Sequence, residues 1–350
     1  GTGSHLPARN VPNADFLSHE FYGADGDPIA RPTSEIIEKF REITGIGERR
    51  WVPDDLVTSD IALLAAEDAL QSSGIDPESL DHVVVAHNFG DVRADNRRSD
   101  FVPSLAARVK ARLGIENPSA VSYDLPFGCP GWLQAVIQAD GMLTAGRGKR
   151  ALVIGAETLS RVSDPHDRDS MIYADGAGAV ILDTVECDAP VGILSHAARS
   201  DTARHAHLLS MGPSYKRDYA ENTLFLKMRG HKLYEYALRT VPQIIKDSLE
   251  AAGVFLGDVK KVLLHQANAK MDEAIVQRLC ALCGIPTVGA DIVPMTISWL
   301  GNSSVATLPT LLDLVLKGKL PGHGLASGDL VVFASVGAGM NANAVTYRVP

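Results

Sequence analysis

Two stretches of the chain, DALQSSGIDPESLDHVVVAH (68–87) and DSLEAAGVFLGDVKKVLLHQ (247–266), align without a gap. Each begins with a pattern typical of an amphipathic helix that ends at a glycine, and continues through a turn into a short apolar strand. The two helix-ending glycines, Gly74 and Gly253, are 179 positions apart, about half the length of the chain. This internal repeat predicts two similar α/β halves packed together.

The apolar runs HVVVA (82–86) and KVLL (261–264) are typical of strands buried in a sheet that helices cover on both faces. Two further runs, ALVIGAET (151–158) and LVVFASVGAG (330–339), also indicate strands that end in turns of small residues. Functional groups in such folds converge at the ends of strands. The run DGAGAVIL (175–182) lacks the spacing of a phosphate-binding loop, so its glycines predict close backbone packing.

Composition and charge narrow the class of protein. The 350 residues are 45% hydrophobic and 21% charged, which is typical of a globular protein with helices and strands. No apolar run approaches the roughly 20 residues that a membrane helix needs, and residues 1–20 do not resemble a signal peptide, so we expect a cytoplasmic enzyme. The formal net charge of -9 argues against nucleic acid as a partner and restricts any acidic partner to a local basic patch.

The cysteines do not predict a disulfide framework. The chain has four, Cys129, Cys187, Cys280 and Cys283, and they are unevenly placed. Cys280 and Cys283 have the spacing of a metal or redox pair, but no second pair exists and they end the helix-like run MDEAIVQRLCALCG (271–284). We therefore expect these two to be buried structural cysteines.

Cys129 lies between a Gly/Pro-rich turn, in FGCPGW (127–132), and the helix-like run WLQAVIQADGML (132–143). This position predicts a sulfur at a helix N-terminus, where the helix dipole and free amides favour the thiolate. The glycines and prolines fit a sharp bend. From these residues alone, Cys129 is either a nucleophile or a small buried hydrophobe.

Two polar residues of the second half are candidate partners for Cys129. His265 follows the strand of the second repeat, in LLHQANAK (263–270), and Asn302 lies in a Gly/Ser turn, in WLGNSSVATLP (299–309). Either residue alone is more often structural. Their conjunction with Cys129 favours nucleophilic catalysis, because the partners of a nucleophile need not be its neighbours in sequence.

Eight segments together resemble the 3-oxoacyl-[acyl-carrier-protein] synthase III family, thiolase-fold enzymes that begin fatty acid synthesis. The segments, in order, are GTGSHLP (1–7), TGIGERRW (44–51), TSDIALLAAEDAL (58–70), FGCPGW (127–132), DPHDRDSMIYADGAGAVIL (164–182), HQANAK (265–270), GNSSVATLP (301–309) and GAGMNANA (337–344). The resemblance covers nearly the whole chain. It implies a duplicated, five-layered αβαβα thiolase-like fold of the α/β class, with pseudo-equivalent halves at residues 1–186 and 187–350.

The resemblance also implies a catalytic triad of Cys129, His265 and Asn302, with no bound cofactor and no metal. Cys129 would take an acyl group from a thioester and condense it with malonyl-acyl-carrier protein after loss of carbon dioxide. His265 and Asn302 would donate hydrogen bonds to the oxygen where enolate charge develops. The backbone amides of Cys129 and Gly339 would form a second oxyanion hole.

Further residues follow from the same resemblance. Arg168, Asn268 and Gly337 would bind coenzyme A or phosphopantetheine, and the subunits would form a homodimer. Carrier protein would dock on basic residues that include Lys270, where the family has an arginine. Lys227, Arg229 and Lys232 either extend this patch or form an ordinary solvated face, while Glu235 occupies the place of a family lysine.

Three positions depart from the family pattern. The aromatic and basic residues that clamp the adenine of coenzyme A align with Lys39 and Ile43, and only the stacking arginine, Arg168, is kept. The residue from the partner subunit that closes the acyl pocket aligns with Val102, which is smaller than the family's phenylalanine, after a lengthened segment (87–100). These differences predict a donor other than acetyl-CoA, with a longer acyl chain.

Related activities remain as alternatives. Synthase III relatives of secondary metabolism condense or cyclise two acyl chains, or pass an acyl group to an alcohol or amine. An acyl-binding protein without catalysis would have no structural need for the triad. Thiolases use a second cysteine where this chain has GAGMNANA (337–344), and elongating ketosynthases have a histidine at the position of Asn302.

Overall fold

The computed structural model describes residues 1–289 and 291–350. Within these residues the strands are β1 (Thr2–His5), β2 (Arg9–Pro12), β3 (Glu48–Trp51), β4 (His82–His87), β5 (Asp91–Val92), β6 (Ser99–Asp100), β7 (Val121–Pro126), β8 (Arg150–Thr158), β9 (Asp175–Asp183), β10 (Gly192–Ser200), β11 (Leu209–Gly212), β12 (Phe225–Met228), β13 (Val259–Leu264), β14 (Leu330–Gly337) and β15 (Asn341–Arg348). The α-helices of the same residues are α1 (Thr33–Thr44), α2 (Thr58–Ser73), α3 (Leu105–Arg112), α4 (Gly131–Thr144), α5 (Thr202–His205), α6 (Gly230–Ala252), α7 (Ala269–Leu282), α8 (Ile297–Leu300) and α9 (Thr307–Leu316).

Two large sheets organise the chain. The strand order is β1-β9-β8-β4-β7 in the first sheet and β10-β15-β14-β13 in the second. In the first sheet β4 is parallel to β8, and β8 is antiparallel to β9. In the second sheet β13 is parallel to β14, and β14 is antiparallel to β15. The two sheets therefore repeat one topology, as the internal sequence repeat predicted.

The repeat is also visible in local structure. In the first copy α2 ends at Gly74, which has φ +66°, and a 3-10 turn (Pro77–Ser79) leads into β4. In the second copy α6 ends at Gly253, which has φ +65°, and a 3-10 turn (Leu256–Asp258) leads into β13. Glycine ends both helices because it adopts the left-handed conformation without a steric penalty.

Alternating strand residues build a stack of five layers. Val83 and Val85 of β4 face α2 and α3, whereas Val84 faces α4 and α9 in the middle of the molecule. Across that central helical layer lies β14, whose Phe333 contributes to the same cluster, and α6 and α7 cover the outer face of the second sheet. Side chains of a strand point alternately to opposite faces, so one run of valines fills two cores. The structure confirms the predicted five-layered αβαβα fold.

Several local predictions can be compared with the structure. The run 175–182 is a strand, β9, and a Cβ on its Gly178 would lie 2.6 Å from the backbone nitrogen of Thr310 in α9, which confirms close backbone packing. Cys280 is buried in the core beside α6, whereas Cys283 is only half-buried. The predicted division at residue 186 falls in the connection between β9 and β10 and stays a prediction.

Candidate functional site

Cys129 lies in a tight bend between a strand and a helix. Strand β7 ends at Pro126 and α4 begins at Gly131, so the cysteine immediately precedes the N-cap of the helix, Pro130. Gly128 has φ +74°, a conformation that favours glycine, and a Cβ there would lie 2.8 Å from the backbone nitrogen of Ala338. The small residues of the turn therefore bring Cys129 against a second loop.

That second loop follows β14 in the C-terminal half. A Cβ on Gly337 would lie 2.7 Å from the backbone nitrogen of Cys129, so only glycine allows this approach. The next residues form a 3-10 turn (Ala338–Met340) in which Gly339 has φ +80°. The predicted oxyanion residues, Cys129 and Gly339, thus belong to two backbones that touch.

One pocket brings the predicted catalytic residues together. Its volume is about 390 Å³, and Cys129, His265 and Asn302 all line it, together with Gly337 and Gly339. Much of the remaining wall is apolar, from side chains that include Phe89, Leu159, Leu226, Met228, Leu233, Met271 and Val336. An apolar pocket with a few convergent polar groups is typical of a small-molecule site.

His265 reaches the pocket directly after β13. Its backbone N–H donates to the carbonyl of Ala334 on β14, at 2.9 Å, which fixes the start of the loop. Burial lowers the pKa of the His265 imidazole to about 4. The ring is therefore neutral at neutral pH, and a neutral imidazole offers one N–H donor and one acceptor.

Asn302 is held by its backbone and by its side-chain oxygen. Its N–H donates to the carbonyl of Ile172 at 2.9 Å, and its carbonyl accepts from the N–H of Ala174 at 2.8 Å. Its Oδ1 accepts a hydrogen bond from the N–H of Ser304 at 2.8 Å. The amide NH₂ of Asn302 is therefore the group that the pocket receives, and it is a donor.

Two opposing effects act on the protonation of Cys129. Burial raises the pKa of its thiol to about 11, a hydrogen bond from Ser304 lowers the pKa, and the Glu157 carboxyl raises it. The helix N-terminus lies where it was predicted, but the loss of solvent around the sulfur outweighs the stabilisation of the thiolate. The raised pKa favours the thiol at neutral pH, which opposes the effect expected of the helix N-terminus alone.

Sequence reasoning missed a polar chain behind the nucleophile. Ser304 Oγ donates to Cys129 Sγ at 3.3 Å, and Asn88 Nδ2 donates to Ser304 Oγ at 3.0 Å. The backbone N–H of Asn88 donates to Glu157 Oε2 at 2.9 Å. Glu157 carries the only charge in the apolar run 151–158, and that buried carboxylate was the signal available in the sequence.

The predicted substrate-binding residues take different places. Gly337 lines the pocket, as described above. Arg168 is exposed at the start of a 3-10 turn (Arg168–Ile172) and does not line the pocket. Asn268 caps α7, because its Oδ1 accepts from the N–H of Met271 at 3.2 Å. The roles of Arg168 and Asn268 in substrate binding stay predictions.

The basic residues considered for carrier-protein docking differ in their surroundings. Lys270, Arg229 and Lys232 are exposed. Lys227, in contrast, forms ion pairs with Asp164 and Asp167, the latter at 3.2 Å. Its charge is therefore neutralised locally, which does not favour a part for Lys227 in the patch, and docking on the other three residues stays a prediction.

Val102 is the most exposed of the large apolar side chains, with 86% of its surface accessible. It follows the β5–β6 hairpin and lines a separate groove of about 1050 Å³ with Phe101 and Arg98. This groove shares no lining residue with the Cys129 pocket of the same chain. Val102 therefore points away from its own pocket, and its contact with a partner subunit stays a prediction.

The part of the chain that the structure describes shows neither a metal site nor a membrane-spanning helix. Across residues 1–289 and 291–350, no group of three or more His, Cys, Asp or Glu side chains is arranged to hold a metal ion. Among the helices of that same part of the chain, none combines the length and the apolar character needed to cross a bilayer.

Known proteins share this arrangement. Residues 123–202 match the family model 3-oxoacyl-[acyl-carrier-protein (ACP)] synthase III, and residues 249–349 match the C-terminal model of the same family. The beta-ketoacyl-[acyl-carrier-protein] synthase III of Ruegeria pomeroyi is 34% identical, over 99% of this chain and 97% of that protein.

Solved structures of synthase III enzymes have the same fold as this chain. The synthase III of Thermus thermophilus superposes with a TM-score of 0.81 at 29% identity, over 100% of this chain and 98% of that one. The priming beta-ketosynthase of the R1128 polyketide pathway gives 0.80 at 27% identity, over 100% and 95%. On these matches, the chain belongs to the 3-oxoacyl-[acyl-carrier-protein] synthase III family.

Proposed function

We propose that this protein is an acyltransferase that condenses an acyl thioester with malonyl-acyl-carrier protein and releases a 3-oxoacyl-acyl-carrier protein. The observation that carries the proposal is the single pocket that holds the Cys129 sulfur, the neutral His265 ring and the amide of Asn302. The first group is a nucleophile, and the other two are neutral donors beside it.

In the first step Cys129 Sγ attacks the thioester carbonyl. A new C–S bond forms, the old C–S bond breaks, and the thiol proton leaves with the departing thiol of coenzyme A or carrier protein. Exchange is close to balanced because both sulfur groups are good leaving groups. The backbone N–H groups of Cys129 and Gly339 would hold the carbonyl oxygen while it carries charge.

In the second step malonyl-carrier protein loses carbon dioxide and becomes an enolate. The carbanion carbon attacks the acyl carbonyl, the bond to Cys129 Sγ breaks, and the sulfur is reprotonated. His265 and Asn302 suit the enolate oxygen, because both are neutral donors that do not need to titrate. One such donor typically contributes about 3 to 4 kcal/mol to the transition state.

The acyl donor is the finer part of the proposal. Lys39 forms an ion pair with Glu42 at 2.9 Å, and Ile43 is 45% exposed beside it on α1. Neither residue offers a flat aromatic or guanidinium surface on which an adenine stacks, and the ammonium of Lys39 is already paired with Glu42. Together with the apolar wall of the pocket, this supports an acyl chain longer than acetyl, carried by coenzyme A or by a carrier protein.

The remaining expectations belong to the same proposal. The thioester substrates carry the reactive groups, so the reaction requires no bound cofactor. We propose a cytoplasmic homodimer, in which the exposed Val102 loop of one subunit closes the acyl pocket of the other. The exposed Lys270, Arg229 and Lys232 would contact the acidic carrier protein.

The test separates the two half-reactions. The protein is incubated with acetyl, butyryl and octanoyl thioesters of coenzyme A and of carrier protein, and intact mass reports acylation. Malonyl-carrier protein is then added and the product is identified by mass. We expect octanoyl to exceed acetyl in acylation, Cys129→Ala to abolish it, and a 3-oxoacyl product to follow.

Other outcomes would overturn parts of the proposal. Acylation that persists in Cys129→Ala would show that Cys129 is not the nucleophile. Equal acylation rates for acetyl and octanoyl donors would contradict the preference for a longer acyl chain. An acylated enzyme that ignores malonyl-carrier protein but yields an ester, an amide or a cyclised double chain would identify an activity of secondary metabolism instead.

A further inference from the structure

A buried carboxylate stands at the far end of the polar chain that reaches Cys129. Glu157 has no accessible surface and lies near the end of β8. Both the backbone N–H and the side-chain amide of Asn88 donate to its Oε2. Asn88 directly follows β4, the strand that pairs with β8, so sheet geometry itself brings the two residues together.

Ser304 connects this pair to the nucleophile. Its hydroxyl accepts from Asn88 Nδ2 and donates to Cys129 Sγ. Ser304 has φ +54°, an uncommon backbone conformation for a residue other than glycine. Such strained positions cluster at functional sites, where the surrounding structure holds them in place. Here the hydrogen bond from the backbone N–H of Ser304 to Asn302 Oδ1 helps to hold Ser304 in this conformation.

The directions of these hydrogen bonds follow from chemistry. Burial raises the pKa of the Glu157 carboxyl to about 7, and in its ionised form this carboxyl only accepts hydrogen bonds. The NH₂ group of Asn88, and not its Oδ1, is turned toward Glu157 Oε2. The same NH₂ group donates to Ser304 Oγ. Because the hydroxyl of Ser304 accepts there, its single proton is free to point at the sulfur of Cys129.

We propose that Glu157 is a positioning residue that sets the orientation of Asn88 and Ser304, and thereby delivers a hydrogen bond to the sulfur of Cys129. This inference deepens the proposed function, since it concerns the same nucleophile. If Asn88 were reversed, Ser304 would donate to its Oδ1 and the sulfur would lose its donor. A sulfur that accepts a hydrogen bond is more stable as a thiolate.

The side-chain amide of Asn88 excludes proton transfer along this chain of hydrogen bonds. An asparagine side chain holds its hydrogens and does not pass a proton along, so Glu157 is not a base for the thiol through this route. The charge of Glu157 even opposes the thiolate, because it raises the pKa of Cys129. The effect of Glu157 as an acceptor must therefore be measured apart from its charge.

Two neutral variants make that separation. Glu157→Gln keeps an acceptor for Asn88 without the charge, and Glu157→Met has a similar length but no comparable acceptor. The readout is the rate at which iodoacetamide alkylates Cys129 across a pH series, followed by mass spectrometry of the peptide that contains it. We expect Glu157→Gln to match or exceed the wild type and Glu157→Met to be about tenfold slower than Glu157→Gln.

A double-mutant cycle tests the connection itself. We expect Ser304→Ala to slow alkylation in the Glu157→Gln background and to change little in the Glu157→Met background, because Ser304 is no longer directed there. Ser303→Ala is the matched control, because it removes the hydroxyl of the adjacent serine. That hydroxyl lies 3.5 Å from Thr307 Oγ1, which is not part of the hydrogen-bond chain to Cys129. Asn88→Ala replaces Glu157→Met if thermal unfolding shows that the latter does not fold.

Equal rates for Glu157→Gln and Glu157→Met, or an equal effect of Ser304→Ala in both backgrounds, would overturn the inference. Alkylation needs no acyl substrate, so this outcome is independent of the proposed function. If no acyl donor reacts with the wild type but the cycle shows coupling, the proposed function fails and the positioning role stands.

Discussion

The backbone N–H of Ser304 donates to Oδ1 of Asn302 at 2.8 Å, and this bond decides which end of the Asn302 amide faces the pocket. An asparagine side chain could present either its oxygen or its NH₂ group. With the oxygen occupied, the pocket receives a donor, which is the polarity that an enolate oxygen requires.

We expect Asn302→Asp to separate the two half-reactions. The carboxylate cannot donate to the enolate oxygen and repels it, so condensation should fall by about 10²- to 10³-fold. Acylation of Cys129 should change much less, because the oxyanion hole of that step is made of backbone. Intact mass after each substrate addition measures both steps, and an equal loss in both would contradict the assigned role.

Gly337 provides a steric test of the contact between the two loops. Alanine there would place a Cβ 2.7 Å from the backbone nitrogen of Cys129, so the loops must separate. We expect Gly337→Ala to slow acylation at least tenfold and to lower the melting temperature by several degrees. Gly257→Ala is the control, because nothing lies within 4 Å of a Cβ at that position. Full acylation in Gly337→Ala would show that the contact is not needed.

The buried carboxyl of Asp272 makes the stability of the fold depend on pH. Burial raises the pKa of its carboxyl well above the usual value, and neither oxygen has a hydrogen-bond partner in the described part of the chain. The folded state therefore keeps a proton that the unfolded state loses above pH ~4, so this carboxyl destabilises the fold increasingly as pH rises from there.

We accordingly expect Asp272→Asn to raise the melting temperature more at pH 8 than at pH 5. An exposed aspartate of the same half offers a matched control, Asp258→Asn, which should shift neither value. Thermal unfolding of the three proteins at both pH values is the measurement. A stabilisation that does not change with pH would contradict the protonated state of Asp272.

A substitution at Val102 tests whether the loop of one subunit closes the acyl pocket of the other. If its loop closes the acyl pocket of a partner, Val102→Phe should shorten that pocket and shift the preference from octanoyl toward butyryl and acetyl donors. The side chain lies outside the pocket of its own subunit, so a monomer should show no shift. Acylation rates with the three donors, measured beside the molar mass in solution, distinguish these outcomes.

Short-range patterns in the sequence determined the repeat, the helix before Gly74, the buried strand after it and the bend at Cys129. Each depends on hydrophobic periodicity or on the conformational freedom of glycine. Both act between residues that are close together in the sequence. Their positions in a turn, after a strand and in a loop nominated Cys129, His265 and Asn302, and the resemblance then assigned their roles before any contact between them was known.

Tertiary structure decided the features that depend on partners distant in the chain. The raised pKa of the Cys129 thiol is one of these, because residues of both halves surround and bury its sulfur. The ion pairs of Lys227 with Asp164 and Asp167 are another, since they join segments that the sequence separates by about sixty residues. The chain from Glu157 through Asn88 to Ser304 is the third, because hydrogen-bond direction exists only once β4, β8 and the Asn302 turn are packed together.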